Sequence, residues 1–597
     1  MYKKIIISLW ALVLCIGQAD AVKVFDISVF GVVPGGQHLT AKMSKALEKI
    51  REKAQGDSII IRFRAGRYDF YPEGSAQRMY YISNHAEYRG EQLPLERPVS
   101  VALPLENFKD LTVEGNSALF VCHGCILPIS LVRSERCTLR DFAIDFQESS
   151  FPAIRILSNE GAKGGITFEV FPDARYRLTR DSIFEAYSQG EWGIRPFYAT
   201  VYEANTGRVA YNTGDVDFPN RSLVARGDHT IQASHWQDAR LNPGHVLLLR
   251  TWDRPVPGIF LYHDTDTSLC NLKIHHTLGM GVLAQLCENV TLDSLQVCLR
   301  EQNSLRYITT TVDATHFSQC SGKISSTHGY YERMGDDAIN VHGIYLNVDK
   351  RLDNHTVVGR FMYEQTYGFE WGFAGDTVQF VRKNTSETVE GIWRIAAITP
   401  MNDTGMIEGA RLLKIVFDRP LDKAIAGGNI WCMEDLTRTP EVHFSRNIVR
   451  NNRARGALFT TPRRVVVENN MFDHVSGSAI LISGDCSYWY ESGACRDVLI
   501  KGNRFVNVLG STGMECHAVI SIAPLIKNLE IQQHCYHGMI RIEDNQFDVF
   551  DAPVLFARSV ERLVFKDNII RTNTEYPPYH KNQNRFRLEK VAKADIE

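Results

Sequence analysis

Two adjacent aspartates, Asp336 and Asp337, follow Gly335 in GYYERMGDDAINVHG (329–343), a stretch that otherwise reads as strand. Successive strand residues face opposite sides and neighbouring carboxylates repel, so the pair is costly unless it is used. A third acid, Asp313 in RYITTTVDATHF, lies 23 residues before Asp336. In a chain that winds with a repeat of that length, the offset stacks Asp313 and Asp336 about one strand spacing apart, ~4.8 Å. Gly335 then permits a bulge or turn that swings both neighbouring acids into one groove. Three clustered carboxyls do not all ionise freely, and at least one is pushed up. The result is a proton donor and a proton acceptor at neutral pH, which is what cleavage of a glycosidic bond needs. For inversion, such carboxyls usually stand about 6.5–9.5 Å apart. The competing reading is that the acids bind calcium or cap turns. The adjacent pair with a third acid one repeat earlier favours acid–base chemistry.

Other polar residues surround the trio. Asn340 and His342 suit hydrogen bonds to sugar hydroxyls, or else serve as a ladder residue and a satisfied side chain at a coil edge. Arg333 and Arg306 are further substrate-binding candidates, although Arg306 is equally placed to pair with an acid. His275 and His276 sit side by side on a strand, face apart, and read as structural. Trp371 in FEWGF forms a stacking platform if its segment folds over the groove; burial inside that segment is the plainer role.

The elements that must position these residues are coils. RNIVRNNRARGALFTT, NNMFDHVSGSAILISG, GNRFVNVLGSTGMECHAVISI and DNQFDVFDAPVLFARS each carry Asn, an apolar pair or Phe, a polar turn and a short β-branched strand. Asn447 to Asn470 and Asn545 to Asn568 are both 23 residues. A period in the low twenties with several short strands predicts a parallel β-helix, right-handed and all-β, with corner asparagines laddered between coils. Met43, Leu47 and Ile50 share one face of a helix that caps the open N-terminal end. Two stretches, 165–250 and 350–440, alternate apolar and polar residues without the Asn corner and read as inserted antiparallel β modules. They are placed to wall the site or to mediate a homodimer contact. Coils then occupy 22–164, 251–349 and 441–597.

A net charge of −3 gives no electrostatic reason to expect nucleic acid or a polyanionic substrate. Residues 1–21 have the basic start, apolar segment and Ala-Asp-Ala end of a cleaved secretory leader, and no other segment is long and apolar enough to span a membrane. An exported chain, periplasmic or secreted, follows. Cys486 with Cys495, and Cys122 with Cys125, either form disulfides or stay as buried thiols in the stack.

RYITTTVDATHF followed by GDDAINVHG, on a β-helix with inserted β modules, resembles glycoside hydrolase family 110 over nearly the whole mature chain. The resemblance implies an exported bacterial α-1,3-galactosidase that inverts, uses no metal cofactor and acts on galactose-terminated oligosaccharides or glycoconjugates of the blood-group-B type. The trio also parallels family 28 polygalacturonases. By that analogy Asp336 is the general acid, while Asp313 and Asp337 hold and activate water. GHG and RIK, motifs that a polygalacturonase uses, are absent, which argues against a polyuronate substrate. A calcium-dependent lyase and a non-catalytic glycan-binding solenoid are the rival expectations.

Overall fold

The computed structural model describes residues 22–54, 57–84, 97–188, 191–301, 305–401, 411–511 and 516–597. The leader at 1–21, with Cys15, lies outside them. Short strands pair in parallel with their counterparts one coil away, in three stacked series, so each full coil contributes three strands to a parallel β-helix. The series that carries the site runs through β1 (Val282–Gln285), β2 (Thr315–Ser318), β3 (Ile339–Ile344) and β4 (Ala457–Thr460). Val282 pairs with Thr315, Thr315 with Ile339 and Ile339 with Ala457. Alternation along these strands turns Phe317, Ile339 and Val341 into a continuous apolar core, each worth roughly 1.5–3 kcal/mol when fully buried. The same alternation turns His316, Asn340 and His342 outward.

Helix α1 (Leu39–Ala54) buries Met43, Ala46, Leu47, Ile50 and Ala54 against the first coils and closes that end, as its periodicity predicts. At one corner Asn447, Asn470, Asn503, Asn545 and Asn568 form a ladder. Each Oδ1 accepts the backbone N–H and the Nδ2–H of the preceding asparagine, at 2.9–3.1 Å between Asn447 and Asn470.

The first insert is a seven-stranded antiparallel sheet with a three-stranded one beside it, and it draws in Ala153–Gly161, upstream of the 165 boundary. The second is a closed six-stranded antiparallel barrel whose strands run from Leu346 to Asp435. Trp371 is buried in the core of that barrel, its Nε1 donating to the Ile344 carbonyl, and is therefore no platform for a ligand. No disulfide joins any of the described cysteines to another. Neither Cys122–Cys125 nor Cys486–Cys495 is bridged: Cys122 and Cys495 point into the core, and Cys486 packs beside Cys432 of the barrel.

Candidate active site

The register answers why two aspartates stand side by side. Thr315 pairs with Ile339 and Ile339 with Ala457, so two residues earlier the same alignment stacks Asp313, Asp337 and Arg455 in one column. Asp337 N–H donates to Asp313 Oδ1 at 3.0 Å, and Arg455 N–H donates to Asp337 Oδ1 at 2.9 Å. Asp336 falls on the line of Val312, to whose carbonyl its N–H donates, and its side chain points into a pocket. The offset that matters is thus one residue longer than expected, and the stacked partner of Asp313 is Asp337. Gly335 also serves differently from expectation: its role is close approach, since a Cβ there would lie 2.2 Å from the Thr311 carbonyl oxygen of the coil before.

One oxygen from each of Asp313, Asp336 and Asp337 lies within 4.8 Å of the others. This is closer than the spacing usual for carboxyls flanking a sugar from opposite faces. Asp337 is fully buried, and both its oxygens accept from Arg455, with Nη2 at 2.9 Å from Oδ2. Burial pushes its carboxyl up, the neighbouring acids add to that, and the Arg455 guanidinium opposes it. Burial and the Asp336 charge push Asp313 up to about 7. Asp336 is the most open of the three, its side chain 28% exposed, with Oδ1 lacking a hydrogen-bond partner and Arg455 Nη1 at 3.7 Å. A calcium ion takes six to eight oxygens, yet Asp337 has both of its oxygens committed to Arg455 and Asp313 has one on the Asp337 amide. The set suits a shared proton and a guanidinium better than a cation.

The pocket beside the trio has a volume of about 180 Å³ and is walled by residues of both inserts. Arg254, just after the first insert's last strand (Val246–Arg250), donates to Gln365 of the second insert at 2.7 Å, and both residues line the pocket. Trp252 stacks on Tyr198 with ring centres 5.0 Å apart, and Trp489 meets Tyr363 edge to face; all four rings line the cavity. Asp485 accepts from the backbone N–H groups of Ser487 and Tyr488, which fixes the turn that carries Trp489. Arg453 from the next coil donates to Asp215 of the first insert and to the Gly335 carbonyl, fastening insert to coil beside Asp336.

Of the predicted residues, Asp313, Asp336 and Asn340 line the pocket, and Asp337 supports it from behind. Asn340 Oδ1 is buried and without a partner there, a polar atom available to a ligand hydroxyl. His342 lies one layer back, against His316. Arg306 is elsewhere: its Nη1 is bonded to Asp145 at 2.6 Å, so it pairs with an acid. Arg333 also turns away, its left-handed backbone (φ 56°) sending Nη2 to the Thr206 carbonyl. His276 is buried, bonded to Thr309 and Ser150, and structural as expected.

This geometry meets a consistent set of relatives. Residues 356–430, most of the barrel, match the family described as GLAA-B beta-barrel domain II. Alpha-1,3-galactosidase B of Phocaeicola vulgatus is 48% identical over 98% of this chain and 98% of its own length. Alpha-1,3-galactosidase B of Bacteroides fragilis is 47% identical over the full length of both. The chain belongs to glycoside hydrolase family 110. Alpha-1,3-galactosidase A of Bacteroides fragilis is a more distant member, 33% identical over 97% of this chain.

Sequence reasoning passed over His316, Arg455, Arg254 and Trp252. His316 stood inside the quoted VDATHF stretch, at an outward strand position three residues after Asp313. Arg455 becomes visible only by aligning coils across the barrel, which places 118 residues between neighbouring rungs.

Proposed function

We propose that this protein is an exo-acting glycosidase that removes terminal α-1,3-linked galactose with inversion, from blood-group-B-type termini, with linear Galα1-3Gal as the second substrate to test. The observation that carries this reading is a small pocket walled by both inserts and lined by Asp313 and Asp336, with Asp337 behind them. A cavity of this size admits a terminal residue, whereas a chain-cleaving enzyme needs an open groove. The names carried by full-length relatives support galactose and the α-1,3 linkage. In this reading the leader exports the enzyme to where such glycans occur.

Asp336, the most open carboxyl, protonates the leaving oxygen. Asp313 takes a proton from water as that water attacks the anomeric carbon. Asp337, tied to Arg455, holds Asp313 in place through its backbone N–H. With the oxygens so close, acid and base address the sugar from one edge. Spacing alone favours a second outcome, retention through a covalent glycosyl intermediate, whose carboxyls stand about 5–5.5 Å apart.

Purified protein incubated with Galα1-3Gal and with its fucosylated trisaccharide, followed by proton NMR, tests both. β-Galactose as the first product establishes inversion, and α-galactose establishes retention. Release from one substrate alone defines the role of the fucose branch. No galactose from either ends the proposal.

A further inference from the structure

From His316 at the pocket wall, a chain of hydrogen bonds that the assigned roles do not use runs inward. Asp313 Oδ2 is 2.7 Å from His316 Nδ1, and His316 Nε2 is 2.8 Å from His342 Nε2. His342 Nδ1 is 2.8 Å from the Gly343 carbonyl oxygen. All three side chains are at least nine-tenths buried. The heavy-atom pattern dictates where the hydrogens go. A carbonyl oxygen only accepts, so His342 carries its hydrogen on Nδ1 and presents a bare Nε2. Two bare nitrogens 2.8 Å apart repel, so the hydrogen between the rings belongs to His316 Nε2. A neutral His316 then faces Asp313 with a bare Nδ1. Asn84 Nδ2 lies 2.5 Å from His316 Nε2 and 3.3 Å from His342 Nε2; the scheme turns this amide over, so that its oxygen accepts from His316 Nε2–H.

We propose that His316 is a positioning residue whose tautomer, locked by His342 and the Gly343 carbonyl, turns a bare Nδ1 toward Asp313 and so makes that carboxylate the base of the site. The inference rests on the reading of Asp313 as the group that activates water. An ionised Asp313 beside a lone pair is disfavoured. Once it takes a proton from water, its O–H donates to His316 Nδ1, so the network rewards the step that catalysis requires. No atom of the network is consumed: the proton moves from water to Asp313 and returns to solvent after product leaves.

The surrounding groups agree. Burial, then the nearby Arg254 charge, lowers His316 to about 3 and keeps the ring neutral. Burial lowers His342 as well, against the pull of Glu491, whose Oε1 stands 3.7 Å from Nε2. Around Asp313, Asp336 reinforces the rise that burial causes, while the Asp337 amide, Arg455 and Arg254 oppose it. A base with its affinity near the working pH is the most effective kind.

The lock is testable at His342, which does not line the pocket. In His342→Leu the acceptor is gone, His316 is free to carry its hydrogen on Nδ1, and that hydrogen stabilises ionised Asp313. The acid limb of kcat/KM is then expected to move to lower pH by about one unit, with kcat falling and KM little changed. His342→Gln, which keeps an acceptor oxygen, is expected to leave the limb in place. Infrared titration of the protonated-carboxyl band assigned by Asp313→Asn reads the same shift without any substrate. In the unmodified protein, nitrogen-15 NMR assigned by His316→Gln is expected to show Nε2 protonated and Nδ1 bare. A protonated Nδ1, a band midpoint unmoved in His342→Leu, or equal shifts in both variants overturns the lock even where galactose is released. A moved midpoint without any galactose release supports the lock and sinks the function instead.

Discussion

Two columns of side chains climb the same β-helix, one residue per coil, and meet the same demand differently. In the amide column, Asn447 to Asn568, each side chain is donor and acceptor at once, so every rung satisfies the next. In the acid column the backbone bond is of the same kind: Asp313 Oδ1 accepts from Asp337 N–H, and Asp337 Oδ1 from Arg455 N–H. A carboxylate, however, has no hydrogen to give. Its second oxygen must find a proton or a cation: Asp337 finds Arg455, whereas Asp313 faces the ring nitrogen Nδ1 of a neutral His316 and is left short of a proton when ionised. The amide column spends its polar groups on holding coils together. The acid column leaves an unmet demand for protons and places it beneath a pocket. Stability and catalysis are thus two uses of one corner geometry, separated by residue chemistry.

The sharpest separation comes from neutralising the pocket-facing acid. Asp336→Asn is expected to lower kcat/KM by about a thousandfold or more, the scale of a lost general acid, while the thermal midpoint is unchanged or higher. Galactose release and calorimetry on one preparation check both halves. A variant with full activity would reduce the trio to a structural feature. The opposite test belongs to the amide column. Asn470→Ala orphans the Asn447 N–H and Nδ2–H, one bond to Asn503 and the Phe444 carbonyl. It is expected to cost roughly 2–4 kcal/mol of stability and to leave kcat/KM at 25 °C within about twofold, read by denaturant unfolding and initial rates.

How much of this was legible follows from the same contrast. The amide column was visible because one residue type recurs at one spacing, and the core because β-branched residues recur with it. The trio was visible because adjacent acids in a strand have no cheap structural use. Its register was not, since a coil of 24 residues cannot be told from one of 23 without the hydrogen bonds. Arg455 was hidden because the inserted barrel breaks sequence proximity. Arg306 was overvalued for the converse reason: its partner Asp145 lies 161 residues upstream, and nothing local announces it. The disulfides did not form because coil stacking, which sequence does not order, decides which cysteines meet.

The acid column also leaves a signature in stability. Asp313 is pushed up to about 7 by burial and by Asp336, against about 3.9 in an unfolded chain. Below pH 4 it is protonated in both states and contributes no pH dependence. Between pH 4 and 7 the unfolded chain loses the proton first, so folding stability falls as pH rises, and above 7 the loss is complete. Asp313→Asn removes this term. The variant is expected to gain on the order of 4 kcal/mol over the parent at pH 8 and little at pH 4, measured by denaturant unfolding at both. A gain equal at the two pH values would mean that packing, not proton affinity, sets the cost of this residue.

The smallest effect is expected where neither column is touched. Trp252 lines the pocket just after the first insert's last strand, is 49% exposed, and stacks on Tyr198. Its partly exposed ring therefore offers a surface to the apolar face of a sugar, and it makes no contact with the trio that would transmit a change in charge. Removing such a surface costs about 1 kcal/mol, or some five- to tenfold in binding. Trp252→Ala is therefore expected to raise KM by about that factor while kcat stays within about twofold. The rise should be matched in the affinity for free galactose if the ring stacks on the terminal sugar, and absent there if it stacks on the residue that follows. A fall in kcat at constant KM would show instead that the insert acts on the acids, which would tie the wall of the pocket to the chemistry of its floor.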